Sequence, residues 1–188
     1  MYQSGFRSLH STVTALLDVT NKWYLNIDKV MANIAVFLDL AKTFDTVSHT
    51  IVLRKMELYG IGGTSLEWFA SYLSDRQQKC VVKGSLSALK KIICGVPQGS
   101  ILAPLLFLLY INDLPECLLY TKPHMYADDT ILSPASISTT ELQTKINKDL
   151  TNIRNWLLAN KLSLNVAITK YMFFSTDFRL SNLLARLP

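Results

Sequence analysis

The chain has 188 residues, of which 49% are apolar and 18% are charged. This length fits one domain, or one domain with an added lobe, and the high apolar content excludes an intrinsically disordered chain. Because typical soluble domains carry roughly 25% charged residues, the low charge predicts a piece of a larger protein. The three cysteines form no CxxC pair, which excludes a zinc ribbon or a disulfide framework and favours a reducing compartment.

The opening of the chain predicts an intracellular protein, in the cytoplasm or the nucleus. Its first ten residues include Gln, Ser, Arg and His instead of the apolar core of a secretion signal. The longest apolar run, 101–111, has eleven residues, whereas crossing a bilayer takes about 20. We therefore expect neither secretion nor a membrane partner.

The first half of the chain predicts helices on either side of one buried strand. Ser11 and Thr12 can cap a helix whose apolar residues continue at helical spacing to Ile27. The apolar run 34–40 is short enough for a buried strand. Further helices are predicted over residues 47–59 and 65–73, with a glycine-rich break at 60–63 between them.

The second half predicts strands connected by turns, together with two longer helices. A tight turn is expected at Asp128 and Asp129, because aspartate tolerates unusual turn angles. The expected strands are 77–83, 90–94, 124–127, 130–133 and 170–174, and the expected helices are 101–113 and 139–158. Helices mixed with mostly antiparallel strands indicate an α+β fold with a palm-like layer.

A basic stretch lies in the predicted hairpin between residues 76 and 91, which contains no acidic residue. The formal net charge of the chain is +5, and a polyanion such as nucleic acid would suit this local field. A solvated basic hairpin explains the same pattern equally well. The basic residues are Arg76, Lys79, Lys83, Lys90 and Lys91.

Three carboxylates stand in apolar surroundings. Asp39 lies near the end of a buried strand, and Asp128 and Asp129 lie between two apolar stretches. Burying neighbouring carboxylates is costly unless they converge on a cation, and oxygen ligands of this kind suit Mg²⁺. The alternative is that Asp39 caps the following helix and that the Asp pair is a solvated turn.

Five segments, taken in order, resemble the reverse transcriptases of non-LTR (LINE-like, jockey-type) retrotransposons. Tyr-Ala-Asp-Asp at 126–129 resembles their YADD box, and FLDLAKTFDTV at 37–47 resembles their first catalytic motif. The resemblance covers about residues 5–174. The other three segments are GVPQGSILAPLLF at 95–107, the Gly-Phe-Arg and His-Ser-Thr triplets within 5–12, and the Trp-Leu and Asn-Lys-Leu groups within 156–162.

The resemblance implies a catalytic centre built on the three carboxylates. Asp39, Asp128 and Asp129 would be the catalytic residues and would bind two divalent ions, Mg²⁺ or Mn²⁺, with help from the backbone carbonyl of Leu40. Two such ions promote phosphoryl transfer by stabilising the attacking and leaving oxygens. In the family a lysine follows the downstream Leu-Asn pair, whereas Ile168 stands here, which puts turnover in doubt.

The resemblance also implies residues that bind the incoming nucleotide. Phe44 would exclude a ribose 2′-hydroxyl, although it is alternatively an ordinary core residue. Gln98 and Gly99 would line the nucleotide and template pocket, where glycine permits close backbone approach. Arg7 would reach the triphosphate, for which a planar guanidinium is suited, although a surface arginine is the alternative.

The implied fold is the α+β palm of a right-hand polymerase with partial fingers and no thumb. Residues 1–32 would be a fingers remnant, 33–175 the palm with a fingers-like excursion at about 60–94, and 176–188 an atypical tail. The implied function is RNA-directed DNA synthesis from an RNA template, a DNA primer and dNTP. A missing thumb or endonuclease portion, or another copy in trans, would complete the enzyme. The alternative is an inactive retroelement remnant that binds nucleic acid or a partner chain.

Overall fold

A computed structural model describes residues 2–176. The chain divides into two compact units. Unit 1 contains Met1–Ala41, Asn112–Ala159 and Ser163–Pro188, and unit 2 contains Lys42–Ile111 and Asn160–Leu162. Residues 177–188, nearly all of the predicted tail, lie outside the described residues.

Unit 1 is built on an antiparallel sheet that includes most of the predicted strands. Its central strand β1 is apolar and largely buried, as the sequence predicts, but it ends at Leu38. The strands are β1 (Ala32–Leu38), β6 (His124–Tyr126), β7 (Asp129–Leu132), β8 (Ala135–Ser136) and β9 (Lys170–Phe174), and only β8 was not expected from the sequence.

Strand β1 pairs with three antiparallel neighbours. Its C-terminal half pairs with β7, its first two residues pair with β8, and β9 pairs along residues 33–37. Strand β6 pairs with β7 as a hairpin and lies at the end of the sheet order. This arrangement confirms the predicted closing strand, 170–174, and makes β7 the link between the hairpin and the central strand.

Two helices of unit 1 pack on the sheet. Helix α1 (Thr12–Asp28) begins at the predicted cap, where the Ser11 hydroxyl accepts a hydrogen bond from the Thr14 amide. Helix α6 (Thr139–Ala159) buries its predicted apolar stripe, including Leu142, Ile146, Ile153 and Leu157. The apolar residues whose helical spacing predicted α1 are mostly exposed, including Val13, Leu16, Leu17 and Tyr24.

Unit 2 is a helical cluster with two short antiparallel ladders, one nested within the other. The buried core side chains come mainly from α3 and α5, and they include Val52, Met56, Phe107 and Tyr110. The helices are α2 (Thr43–Thr46), α3 (His49–Leu58), α4 (Gly63–Leu73) and α5 (Leu102–Ile111). The predicted 47–59 helix therefore begins later than expected, after the separate short helix α2.

The predicted hairpin of two long strands is instead two short ladders. Strand β2 (Gln77–Gln78) pairs with β5 (Lys90–Lys91), and β3 (Val81–Val82) pairs with β4 (Ser85–Leu86). All eight residues in these ladders are exposed. With no packed face to support it, the hairpin keeps only its ends and its tip in ladder form. Among residues 2–176, no helix is both long enough and apolar enough to cross a membrane.

Candidate active site

The hairpin of β6 and β7 carries the two adjacent aspartates. Tyr126 pairs with Asp129 across the hairpin, so the two turn residues are Ala127 and Asp128. The sequence prediction of a turn at Asp128 and Asp129 was therefore wrong by one residue. Asp129 is the first residue of β7, and Ala127 takes the left-handed backbone conformation with a φ of 55°.

The register between β1 and β7 brings Asp39 beside this hairpin. Leu38 pairs with Thr130 in the last pair of this ladder, so Asp39 and Asp129 are the residues that directly adjoin it. Beyond β1, the carbonyl of Asp39 accepts a hydrogen bond from the Asn165 amide at 2.8 Å. Leu40 pairs with Leu164 in an isolated antiparallel bridge. The main chain that presents Asp39 is therefore held from both directions.

The electrostatics of Asp129 reflect this juxtaposition. Partial burial raises the pKa of the Asp129 carboxyl above its ordinary value, and the negative charges of Asp128 and Asp39 raise it further. Asp39 and Asp128 are half-buried, whereas Asp129 is exposed as a residue. The fold thus brings the three predicted carboxylates into one another's fields. Their roles in catalysis and metal binding remain predictions.

The donor set fits a divalent cation that keeps most of its water. Within the described part of the chain, no three His, Cys, Asp or Glu side chains form a ready-made cage for a metal ion. Mg²⁺ does not require one, because it is usually bound by one or two carboxylates together with waters and substrate phosphates. The negative charges of Asp39 and Asp128 beside Asp129, which raise the pKa of its carboxyl, suit such an ion.

Unit 2 contains Phe44, Gln98 and Gly99. The Phe44 ring is half-buried and packs on Phe107 with ring centroids 5.1 Å apart, which is the core contact that the alternative interpretation predicts. The Gln98 amide donates a hydrogen bond to the Asp45 carboxylate at 2.9 Å. Gly99 has a φ of 80° and open space where a Cβ would lie. Glycine is therefore favoured at this position by the positive φ of the loop and not by a lack of space for a side chain.

The loop of residues 94–98 is fastened to the segment that carries Phe44. The Val96 amide donates to the Phe44 carbonyl at 2.8 Å, and the Gly95 amide donates to the Val47 carbonyl at 2.7 Å. At Gly95 the φ is 86° and an added Cβ would meet the Asp45 carbonyl oxygen at 2.8 Å. The start of the 95–107 segment thus holds the part of the 37–47 segment that lies in unit 2.

The predicted basic stretch is exposed apart from Arg76, which is half-buried. The Arg76 guanidinium lies over the Tyr72 ring, 5.4 Å from its centroid. Lys91 is paired with Asp75 at 2.8 Å, so an acid just outside the stretch offsets one of its five positive charges. Lys79, Lys83 and Lys90 project from the small hairpins of unit 2.

Sequence reasoning missed two residues with clear local roles. Asp45 lies inside the 37–47 segment and accepts a hydrogen bond from Gln98. Gln3 lies two residues before the Gly-Phe-Arg triplet and donates a hydrogen bond to Ala127. Their proximity to recognised motifs was the available signal. Arg7, predicted to reach a triphosphate, is half-buried and donates a hydrogen bond to the Gln3 carbonyl at 3.3 Å.

Most of the chain matches one protein family. Residues 1–180 match the family described as reverse transcriptase (RNA-dependent DNA polymerase). The chain belongs to this family. Reverse transcriptases generally use divalent metal ions, in agreement with the predicted class of cofactor.

The curated relatives are polymerases of mobile elements. A probable RNA-directed DNA polymerase from transposon BS of Drosophila melanogaster is 32% identical over 172 residues, or 82% of this chain and 18% of that protein. The RNA-directed DNA polymerase from mobile element jockey of Drosophila funebris is 27% identical over 95% of this chain and 20% of its own length. The chain therefore spans about a fifth of these relatives.

Solved structures share the fold at low sequence identity. Apo telomerase from Candida tropicalis, truncated from its C-terminal domain, aligns with a TM-score of 0.65 and 13% identity over 87% of this chain and 35% of that one. Telomerase from the same organism in complex with a fragment of telomeric RNA gives a TM-score of 0.61 at 12% identity. These similarities confirm the predicted α+β palm and partial fingers as a fold.

Proposed function

We propose that this chain provides the nucleotidyl-transfer centre of an RNA-directed DNA polymerase of a non-LTR retrotransposon. The observation that supports this most directly is the position of Asp39, which directly follows the last β1–β7 pair and whose charge, with that of Asp128, raises the pKa of Asp129. We infer that residues 33–175 are the palm, with 1–32 and about 60–94 as parts of the fingers.

In this proposal Asp39, Asp128 and Asp129 bind two Mg²⁺ or Mn²⁺ ions, with the Leu40 carbonyl as a further ligand. Such ions would stabilise the attacking 3′-hydroxyl oxygen of the DNA primer and the leaving pyrophosphate of the dNTP. The three side chains contribute a fixed cluster of negative charge, and the paired strands keep them from moving apart. This preorganisation is the main physical source of rate enhancement at charged transition states.

The remaining predicted residues would select and hold the substrates. Phe44, held against Phe107, would present a rigid aromatic edge that leaves no room for a ribose 2′-hydroxyl. Gln98, held by Asp45, and Gly99 would line the nucleotide and template pocket. Arg7 would bind triphosphate oxygens as a planar donor.

The exposed basic hairpin supports binding to the RNA template. Arg76, Lys79, Lys83, Lys90 and Lys91 would contact phosphates, which dominate protein–nucleic acid affinity. The same hairpin favours a second candidate function, a non-catalytic module that binds nucleic acid or a partner chain, because this role needs neither metal nor carboxylates.

Primer extension tests the proposal. The chain, alone and fused to a polymerase thumb, is assayed on an RNA template with a DNA primer, dNTP and Mg²⁺ or Mn²⁺. We expect incorporation that EDTA abolishes and that Asp128→Asn lowers by at least about 10²-fold, the effect of losing one electrostatic group at a transition state. Asp28→Asn, an exposed acid at the end of α1, is the matched control and should retain full activity.

Two other outcomes would redirect the assignment. A folded chain with a thumb that incorporates no nucleotide refutes the catalytic proposal. RNA binding that is sensitive to salt, unaffected by EDTA and unchanged in Asp39→Ala supports the binding module instead.

A further inference from the structure

The turn that carries Asp128 has a conformation that its own sequence does not favour. Ala127 has a φ of 55°, and residues with a Cβ rarely adopt the left-handed region. The turn connects the short strand β6, only three residues long, to β7. Something outside the hairpin must therefore favour this conformation if Asp128 is to be presented in one orientation.

One side chain satisfies both main-chain groups of Ala127. The Gln3 side-chain carbonyl accepts a hydrogen bond from the Ala127 amide at 2.8 Å, and its NH₂ group donates to the Ala127 carbonyl at 2.9 Å. The same Gln3 oxygen accepts a second hydrogen bond from the Gly5 amide at 2.7 Å. Gln3 thus uses donor and acceptor together, which neither a hydrocarbon nor an ionised carboxylate side chain could do.

The backbone around Gln3 is fixed along the outer side of β6. The Met125 amide donates to the Tyr2 carbonyl at 2.9 Å, and the Ser4 amide donates to the Met125 carbonyl at 2.8 Å. At Gly5, an added Cβ would lie 2.2 Å from the Ala127 nitrogen. Only glycine lets the segment approach the turn this closely, so Gly5 and Gln3 act on the same residue.

We propose that Gln3 is a positioning residue that holds the Ala127–Asp128 turn in its catalytic conformation, with Gly5 providing the necessary close approach. Its action on the chemistry is indirect, because it contacts the residue before Asp128 and no reacting group. This proposal depends on the proposed function for its catalytic consequence. The clamp on the turn can be tested without that function.

Amide hydrogen exchange of the full chain tests the clamp. In Gln3→Ala we expect the Ala127 amide to exchange at least 10-fold faster, because it loses its acceptor, while amides in β1 and β9 keep their protection. Gln143→Ala, at an exposed position on α6, is the matched control and should change neither set. Unchanged exchange at Ala127, or an equal loss across the sheet, overturns the proposal.

Gln3→Glu provides an independent test if Gln3→Ala unfolds the chain. A protonated carboxylic acid has one acceptor and one donor, as an amide does, whereas the carboxylate only accepts. At pH 7 the carboxylate would still accept from the Ala127 amide but would repel the Ala127 carbonyl and so displace the turn. Protection of the Ala127 amide, corrected for intrinsic exchange, should therefore be reduced at pH 7 and restored at about pH 3.5, below the ordinary glutamate pKa of about 4.3. No recovery on acidification contradicts the clamp.

Kinetics and Mn²⁺ binding test the positioning role. For primer extension, Gln3→Ala should lower kcat by about 10- to 100-fold, the usual effect of an outer-shell partner, with the KM for dNTP within twofold. Mn²⁺ titration followed by electron paramagnetic resonance should show weaker binding at the same unfolding midpoint. If only KM or the unfolding midpoint changes, Gln3 is structural. If the unaltered chain neither polymerises nor binds Mn²⁺, the proposed function fails, and exchange at Ala127 decides the clamp separately.

Discussion

Asp129 carries an electrostatic cost that its fold does not relieve. Its carboxyl has a raised pKa because burial and the charges of Asp128 and Asp39 disfavour the ionised form. A carboxyl with a higher pKa in the folded than in the unfolded state destabilises the fold once both states are ionised. In the proposed function, a bound cation would offset this cost.

We predict that Asp129→Asn makes the metal-free chain more stable at pH 7 and less active. Thermal unfolding in EDTA should show a higher midpoint for the variant. The difference should shrink as the pH falls through the raised pKa of Asp129, because the carboxyl of the unaltered chain is then neutral as well. In Mn²⁺ the order should reverse, because a ligand that binds only the folded state stabilises it. A lower midpoint for the variant in EDTA contradicts this account.

His124 provides a second prediction at the scale of single residues. Burial lowers the pKa of its imidazole, and nearby Lys22 lowers it further, whereas Asp18, 3.3 Å from Nδ1, acts in the opposite direction. Because the unfolded chain takes up the proton first, stability is lost as the pH falls through the ordinary value of about 6.5.

Unfolding midpoints measured between pH 7.5 and 5.5 test this dependence. The midpoint should fall as the pH is lowered, and His124→Gln should reduce the slope because it removes the titrating group. A slope that is the same in His124→Gln, or that has the opposite sign in the native chain, argues against a lowered pKa.

The helices and strands of the chain were easier to predict than its turns. The buried residues of β1 and α6 are apolar and follow the spacing of a strand and a helix, so the sequence alone predicts both elements. The hairpin turn was misplaced because Ala127, a residue with no turn preference, takes the left-handed position with the help of Gln3, 124 residues away. No local signal contains that information.

Three carboxylates in apolar segments indicated a candidate cluster by chemistry alone, and the fold brings the charges of Asp39 and Asp128 close to Asp129. The roles of Phe44 and Gln98 came from resemblance and stay predictions. The exposed apolar residues of α1 could not be anticipated, because their spacing is the same as that of a packed face. Periodicity indicates which face is apolar and does not indicate what covers it.

Helix α6 anchors the segment that leads into β6. The Asp149 carboxylate is fully buried and accepts hydrogen bonds from the amides of Leu119, Tyr120 and Thr121 and from the Thr121 hydroxyl. Such charge-assisted bonds are among the stronger ones in proteins. The segment that leads into the β6–β7 hairpin is thus held by a buried acid on α6.

We predict that Asp149→Asn lowers the free energy of unfolding by about 2–3 kcal/mol, because the amide NH₂ would face backbone donors that then lack an acceptor. Urea unfolding followed by circular dichroism measures this change. Asp28→Asn, on the exposed end of α1, should change the free energy by less than about 0.5 kcal/mol. Equal effects of the two substitutions would show that the Asp149 network contributes little.

At the scale of the whole molecule, the net charge of +5 is not spread evenly, because five positive charges lie between residues 76 and 91. The exposed hairpins of unit 2 carry most of the predicted basic stretch, and one of its members is offset by Asp75. The low total charge and the exposed apolar residues agree with a chain that spans about a fifth of its relatives.

We predict that single-stranded RNA binding weakens with salt, with a slope of log K against log salt of roughly −3 for four to five phosphate contacts. Lys79→Gln with Lys83→Gln should reduce the slope by roughly 1.4, because two contacts are removed. Fluorescence anisotropy over a salt series measures both. Lys22→Gln with Lys145→Gln, in unit 1, is the charge-matched control, and an equal reduction there would show that the hairpin is not the binding surface.

Residues 2–4 also protect the sheet. They lie along β6 at the end of the strand order and satisfy the main-chain groups of Met125 that point outward. An open edge invites another chain to add its own strand. A shortened chain beginning at Phe6 would expose that edge, and we expect it to associate edge to edge more readily in concentrated solution than the full chain does.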